Sequence, residues 1–314
     1  MAMAYDAVLL IGFGGPTNMS EVRPFLDNVL RGRPVPPERV ETVVHHYELI
    51  GGKSPFNELT LRQARTLEAQ LSADGFRLPV YVGLRCWTPY LHETLQRMMA
   101  EGRRRAVGLI MAPHQSEASS GRYERAVTVA RERVGAAAPQ VDYVDDWHAH
   151  RLFITAVSEH VGAALRHIPA ERQASAMLVF SAHSIPTAMA ASPYVEQITN
   201  SSRLVAERLA HPRWSVAYQS RSGSPREPWL GPDINEVVAR LAGEGCRDLV
   251  VVPIGFVCDH VEVLYDLDIE ARQIAEQAGI NFVRAATVSD HPAFIRTLAD
   301  MVRCRTAWPP DTTL

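Results

Sequence analysis

Six short runs of nearly unbroken apolar residues limit what this chain can fold into. They are AVLLIGF (Ala7–Phe13), PVYVGL (Pro79–Leu84), AVGLIMA (Ala106–Ala112), AMLVFSA (Ala176–Ala182), WSVAYQS (Trp214–Ser220) and LVVVPIGFV (Leu249–Val257). A strand with one wet face alternates apolar and polar residues; a strand covered on both faces does not. Between the runs, Glu58–Leu71, Tyr90–Glu101 and Ile234–Ala242 carry apolar residues at three- and four-residue spacing, the helical pattern. Strand alternating with helix predicts an α/β fold on parallel sheets.

The chain also resembles itself. PYLHETLQRMMAEGRRRAVGLI (Pro89–Ile110) lies over PDINEVVARLAGEGCRDLVVVP (Pro232–Pro253) without a gap, and each copy has a Glu-Gly turn before its strand. This predicts two similar halves, each a doubly wound, Rossmann-like parallel sheet. We place them at residues 1–150 and 151–314, with the final helix free to pack back on the first half. The length of 314 residues suits two such domains. Open α/β sheets bind ligands outside the carboxyl ends of their strands, so two facing halves make a cleft lined by strand ends.

Composition removes several function classes. Apolar residues are 46% and charged residues 21% of the chain, values for a protein with a real core. The net charge of −3 gives no reason to expect a nucleic-acid partner. The longest apolar stretch, Leu249 to Cys258, is about half the length of a membrane span. The start, MAMAYDAVLL, lacks the basic region of a secretory leader, so the expected location is the cytoplasm. The wide spacing of Cys86, Cys246, Cys258 and Cys304 argues against a disulfide framework, a zinc ribbon or an iron–sulfur cluster. No permanently bound cofactor is expected.

Chemistry is sought at the strand ends. Gly12-Phe13-Gly14-Gly15-Pro16 lets the backbone turn tightly, but its third glycine is misplaced for a dinucleotide fingerprint. Ser181-Ala182-His183-Ser184-Ile185-Pro186 ends a strand in an imidazole, which could be a base, a metal ligand or a hydrogen-bonded core residue. The flanking Ser181 and Ser184 raise a hydrolase, yet no G-x-S-x-G elbow exists. After the last run, Glu262, Asp266 and Glu270 fall at i, i+4 and i+8. On a helix they form either a solvated stripe or a path for cations or protons. Arg31 and Arg33, one residue apart, either face solvent or hold carboxylates or phosphates. Phe13, Tyr47, Tyr123 and Trp229 could flank a large flat ligand, with core packing the default for each.

Together these stretches resemble the ferrochelatase family across nearly the whole chain. The resemblance lies in GFGGP, PFLDNVLRGR, HYELIGGKSPFNELT, FSAHSIP, YQSRSGSPREPWLGP and PIGFVCDHVEVLYDLDIEA, in the family's order. It implies two Rossmann-like domains around a porphyrin cleft, with ferrous iron and a porphyrin as substrates. It places the family's histidine on His183 and its partner acid on Glu262, both also candidate metal ligands. It continues the acidic line through Asp266 and Glu270 on a helix with a widened turn.

The GGKSP, VLYD and RGR segments look like ferrochelatases that act on coproporphyrin III rather than protoporphyrin IX. Arg31, Arg33, Ser54 and Tyr123 match positions the family uses around propionates. Three positions depart from the pattern: Phe13 replaces a tyrosine of several relatives, His46 an arginine and Cys86 a histidine. Phe13 cannot ligate metal, so a ligand opposite His183 is in doubt. The rivals are a cobalt or nickel chelatase, a non-catalytic haem carrier and a Ser-His hydrolase. The expected state is a monomer. The imidazole and the carboxylate are expected on separate sheets, meeting across the groove.

Overall fold

The computed structural model describes residues 4–32, 35–144, 146–190, 193–222 and 227–307. Eight strands form two four-stranded sheets, all parallel. The first sheet holds β1 (Ala7–Gly12), β2 (Val80–Leu84), β3 (Arg105–Ile110) and β4 (Gln140–Tyr143), in the order β2-β1-β3-β4. The second holds β5 (Met177–His183), β6 (Trp214–Gln219), β7 (Asp248–Val252) and β8 (Asn281–Arg284), in the order β6-β5-β7-β8. The two orders are the same once each strand is matched to its counterpart, as the internal sequence match predicts.

Helices cover the sheets. In the first half they are α1 (Met19–Leu30), α2 (Pro37–Leu49), α3 (Phe56–Ala73), α4 (Leu91–Ala100) and α5 (Arg122–Val134). The second half has α6 (Arg151–Leu165), α7 (Ala170–Gln173), α8 (Tyr194–Arg208), α9 (Ile234–Gly243), α10 (Val261–Leu264), α11 (Arg272–Gln277) and α12 (Pro292–Ala307). α6 packs on α8, β7 and β8, while α12 packs on α6 and reaches back to α3 and β3. The central strands β1, β5 and β7 supply fully buried side chains such as Leu9, Leu10, Phe180 and Val250, which is why their sequences are apolar without alternation.

The two copies of the repeat are built alike in detail. Tyr90 bridges to Leu84 at the end of β2, and Asp233 bridges to Tyr218 near the end of β6. Each residue begins a helix with a capping box, closed by Glu93 in one half and Glu236 in the other. Each half also has a π-helical turn after its third strand, at Glu117–Gly121 and at Asp266–Ala271.

Two expectations need correction. β4 and β8 are absent from the apolar runs because they are only four residues long, QVDY and NFVR, with mostly partly exposed side chains. The run Leu249–Val257 does not stay a strand: β7 stops at Val252, before Pro253, which has no N–H to give. The chain then turns so that Gly255 N–H bonds to the Ser181 carbonyl at 3.1 Å. No helix among the described residues is long and apolar enough to cross a membrane.

Gly255 is where the turn after β7 meets the end of β5. A Cβ there would lie 2.7 Å from Ala182 Cβ and 2.8 Å from Ala182 Cα, closer than such atoms approach. Gly255→Ala should therefore push on the strand end that carries His183 and destabilise the protein by about 1–3 kcal/mol. Urea denaturation measures it; an unchanged midpoint would refute the packing constraint.

Candidate active site

The site is built on the second sheet. β5 and β7 are neighbours, with Phe180 opposite Val252, so the segments that leave them start side by side. β5 ends at His183. After β7 the chain reaches Asp259-His260 and enters α10, where Glu262 stands in the first turn. His183 Nε2 lies 3.4 Å from Glu262 Oε1. The expectation of separate sheets is thus wrong. Imidazole and carboxylate both come from the second half, because adjacent parallel strands end on the same side.

Local bonds fix both groups. His183 Nδ1 bonds to the Ser184 carbonyl, which can only accept, so Nδ1 carries a proton and Nε2 is the atom turned to Glu262. Tyr194 OH donates to the His183 carbonyl at 2.8 Å, and Ser184 N–H to the Gln219 carbonyl at 2.7 Å. On the other side, His260 Nδ1 accepts the Glu262 N–H at 3.2 Å, capping α10, while Gln219 Nε2 donates to the Glu262 carbonyl. Neither neighbouring serine is poised as a nucleophile. Ser184 donates its hydroxyl to the Leu230 carbonyl at 2.8 Å, and Ser181 is fully buried. The hydrolase reading has no geometry to support it.

The pair is electrostatically coupled. Burial alone lowers a histidine, but the Glu262 carboxylate, then the Ser184 carbonyl and Asp266, raise His183 to about 9. Burial alone raises a carboxylate, but His183, with a smaller effect from His260, holds Glu262 down to about 2. The side chains are 31% and 36% exposed, so the pair is partly open to solvent rather than sealed in the core. At neutral pH it is an imidazolium beside a carboxylate, with no net charge.

A line of acids leads outward from it. An α-helix turns about 100° per residue, so positions eight apart drift by about 80°. Here the turn from Asp266 is π-helical, and Glu270 N–H bonds to the Tyr265 carbonyl, five residues back, at 2.9 Å. The wider turn holds more residues and rotates Glu270 back toward the line of Glu262 and Asp266. Ser220, held at a left-handed φ of 62°, donates to Asp266. Asn235 Nδ2 donates to Glu270 at 2.8 Å. Burial, opposed by Ser220 and aided by Glu262 and Glu270, raises Asp266 to about 7. Glu262 and Asp266 are half-buried, and Glu270 is at the surface.

The first half brings aromatic residues near the pair. Burial raises the Tyr47 and Tyr123 hydroxyls, and the Glu262 charge raises both further, so each lies within its reach. Tyr47 is 2% exposed and packs edge-on against Phe25 at 6.3 Å, as part of the wall's core. Phe13 and Tyr123 are half-buried, with the Arg85 guanidinium 5.0 Å from one ring centre and 5.7 Å from the other. Ser54 is buried, and its hydroxyl accepts the Phe56 N–H at 3.3 Å. Gly15 packs on it so closely that a Cβ would lie 2.7 Å from Ser54 Cβ. Its role here is to seat the glycine loop after β1. Arg31 is exposed and bonds to Asn28. Arg33 lies outside the described residues. Trp229 is half-buried and bridges to Pro186, bracing the loop beyond His183.

The sequence reading does not single out His260, Gln219, Ser220 or Asn235. Two of them carry a local signal. His260 stands just before a short helix, where a side-chain acceptor caps. Gln219-Ser220 ends a strand beside the one that carries His183.

The coupling has a testable sign. His183 stability is complete below pH 6.5 and is lost as pH rises through about 9. Glu262 stability is complete above pH 4.5 and is lost as pH falls through about 2. In Glu262→Gln burial, the largest influence on the imidazole, is opposed only by the Ser184 carbonyl and Asp266, so its titration should fall well below 9. NMR of the His183 ring, without metal, reads this directly; an unmoved titration would show that Glu262 is not its cause.

Known proteins carry the same arrangement of sequence. The ferrochelatase family model matches residues 5–306. The chain is 40% identical to a ferrochelatase of Rhodopirellula baltica, over 96% of this chain and 86% of that protein. It is 39% identical to a coproporphyrin III ferrochelatase of Mycolicibacterium smegmatis, over 96% and 89%. Among solved structures, the fold is shared with SirB of Bacillus subtilis with Fe3+, at a TM-score of 0.59 and 12% identity, covering 96% of each chain. With a family match from end to end and relatives near 40% identity along almost its full length, this chain belongs to the ferrochelatase family.

Proposed function

We propose that the protein inserts Fe2+ into coproporphyrin III, with His183 and Glu262 at the point of insertion. The observation that carries the reading is the coupled pair itself, 3.4 Å apart and partly open to solvent, with Tyr47 and Tyr123 of the first half within reach of the Glu262 charge. Relatives named coproporphyrin III ferrochelatase support this substrate over protoporphyrin IX. The reading takes the chain as a monomer of the cytoplasm: one half supplies the pair and the other the facing wall, so no second copy is needed.

The chemistry follows from the proton balance. A free-base porphyrin gives up two N–H protons for each Fe2+ that enters, and the ring must buckle first. A groove that fits the buckled ring better than the flat one lowers that barrier. At rest His183 Nε2 holds a proton, so it can neither take a pyrrole proton nor offer a lone pair to iron until that proton leaves. Asp266, near 7, is matched to accept and release protons at working pH. Glu270, at the surface, passes them to water or receives the incoming cation. Imidazole and carboxylate both suit Fe2+.

Two measurements test this. Oxygen-free mixing of the protein with Fe2+ and coproporphyrin III, followed in the visible spectrum, should show insertion, slower with protoporphyrin IX. His183→Ala should lower the rate by at least about a hundredfold while porphyrin still binds. Because iron competes with the His183 proton, kcat/KM for Fe2+ should climb with pH toward 9. A near-normal rate in His183→Ala removes the assignment.

A further inference from the structure

Five acids stand between Asp259 and Glu270, and they do not all belong to the outward line. Glu262, Asp266 and Glu270 do. Asp259 and Asp268 bond instead to Arg284, the last residue of β8. Arg284 Nη1 and Nη2 donate to the two oxygens of Asp259, at 3.3 and 3.1 Å. Its Nε donates to Asp268 at 2.7 Å. The three side chains are 14%, 25% and 24% exposed, so salt screens this cluster less than it screens a surface pair.

The guanidinium is itself anchored. Arg284 lies opposite Val251 in the parallel register, and the next residue, Ala285, donates its N–H to the Val251 carbonyl at 2.9 Å. β8 therefore ties the Arg284 backbone to β7, the strand whose exit leads to Glu262. A guanidinium is planar, and its donors point in fixed directions. Its outer edge takes the carboxylate three residues before Glu262, and its Nε takes the carboxylate two residues after Asp266. The spacing between those two acids is then set by a rigid group rather than by the loop.

The first half is built differently at this point. Gly108 matches Val251 in the internal repeat, and the residue opposite Gly108 is Tyr143. A phenol has one O–H and no fork with which to join two acids. The π turn of that half, EASSG, holds a single acid, Glu117, which pairs with Arg125. The arginine stands in the half where a carboxylate has to meet an imidazole.

We propose that Arg284 is a positioning residue for the site: it grips the chain on both sides of Glu262 and Asp266, and so sets the distance from Glu262 to His183. The proposal rests on the reading of that pair as the point of insertion. Arg284 acts through the segment that carries Glu262, not on the substrates. A displacement of about 1 Å, caused far from the chemistry, costs on the order of a hundredfold in rate.

The test compares Arg284→Met, Arg284→Lys and Glu262→Gln with the wild-type chain. Without Arg284 each acid keeps a partner, Thr287 at 3.0 Å for Asp259 and Arg272 at 3.8 Å for Asp268, so Arg284→Met is expected to fold. Arg284→Lys keeps the charge but not the fork, and carries the test if Arg284→Met does not fold. The first measurement needs no substrate: the ring-nitrogen NMR signals of His183 at one neutral pH, without metal. Glu262→Gln marks where those signals lie once the imidazole has lost its carboxylate. Arg284→Met should move them at least halfway to that mark, and Arg284→Lys part of the way. The second measurement is insertion of Fe2+ into coproporphyrin III. Its kcat should fall about tenfold to a hundredfold in Arg284→Met and about threefold to tenfold in Arg284→Lys, with the Kd for porphyrin alone within about twofold of wild type. An arginine that merely supports the fold would leave the ring signals in place. Signals that stay at the wild-type position, or a kcat within about 1.5-fold of wild type, overturn the positioning role while leaving the porphyrin reading intact. Signals that move as expected in a protein whose wild-type chain inserts no iron overturn the porphyrin reading and leave the grip of Arg284 on Glu262 standing.

Discussion

The structure depends on one coupled ion pair, the His183 imidazolium against the Glu262 carboxylate. Either group alone would be costly in its place, since burial works against the charge on both. Together they are neutral, and their geometry is over-determined. β5 and β7 pair in register, Gly255 lets the strand ends touch, and His260 and Gln219 hold the Glu262 backbone from two sides. The second sheet is therefore organised around this contact, and the first sheet faces it.

The two halves share a scaffold and divide the chemistry. Both have the same strand order, the same capped helix after the second strand and a π turn after the third. In the first half the π turn reads EASSG, and its one acid, Glu117, is exposed and paired with Arg125. In the second it reads DLDIEA, with Asp266 and Glu270 on the line that begins at Glu262. A widened turn is thus a backbone device available to both, and the side chains placed on it are what differ. The first half spends its strand ends on aromatic surface instead, with Phe13 and Tyr123 on either side of Arg85.

How much of this the sequence discloses follows from what each feature needs. Apolar strands announce themselves, so six of eight are visible, while QVDY and NFVR are four residues long and carry polar, partly exposed side chains. The three acids are visible by spacing, but their alignment is not, because the drift of an α-helix and its correction by a π turn both lie in the backbone. His183 and Glu262 are visible as motif residues. That they share a sheet follows from strand order, and strand order is not written in any single segment. Tyr47 and Ser54 show the opposite limit. Their positions match a binding pattern, yet burial makes both structural parts of the wall and its glycine loop.

The neutral resting pair also answers a problem that any metal-inserting protein faces. A site of one imidazole and one unopposed carboxylate would bind divalent iron and keep it, and an iron held too tightly never reaches the ring. On the function proposed above, the carboxylate already faces the imidazolium, so a cation that takes the imidazole must first displace its proton. Affinity is lowered by the free energy of that displacement, which the separation of His183 from its ordinary value sets. On the same proposal the proton leaves through Asp266, which sits near neutrality, with Glu270 beyond it at the surface. Weak capture and easy proton exit are thus two consequences of the same arrangement: one carboxylate coupled to a histidine, and the next pushed upward by its neighbours.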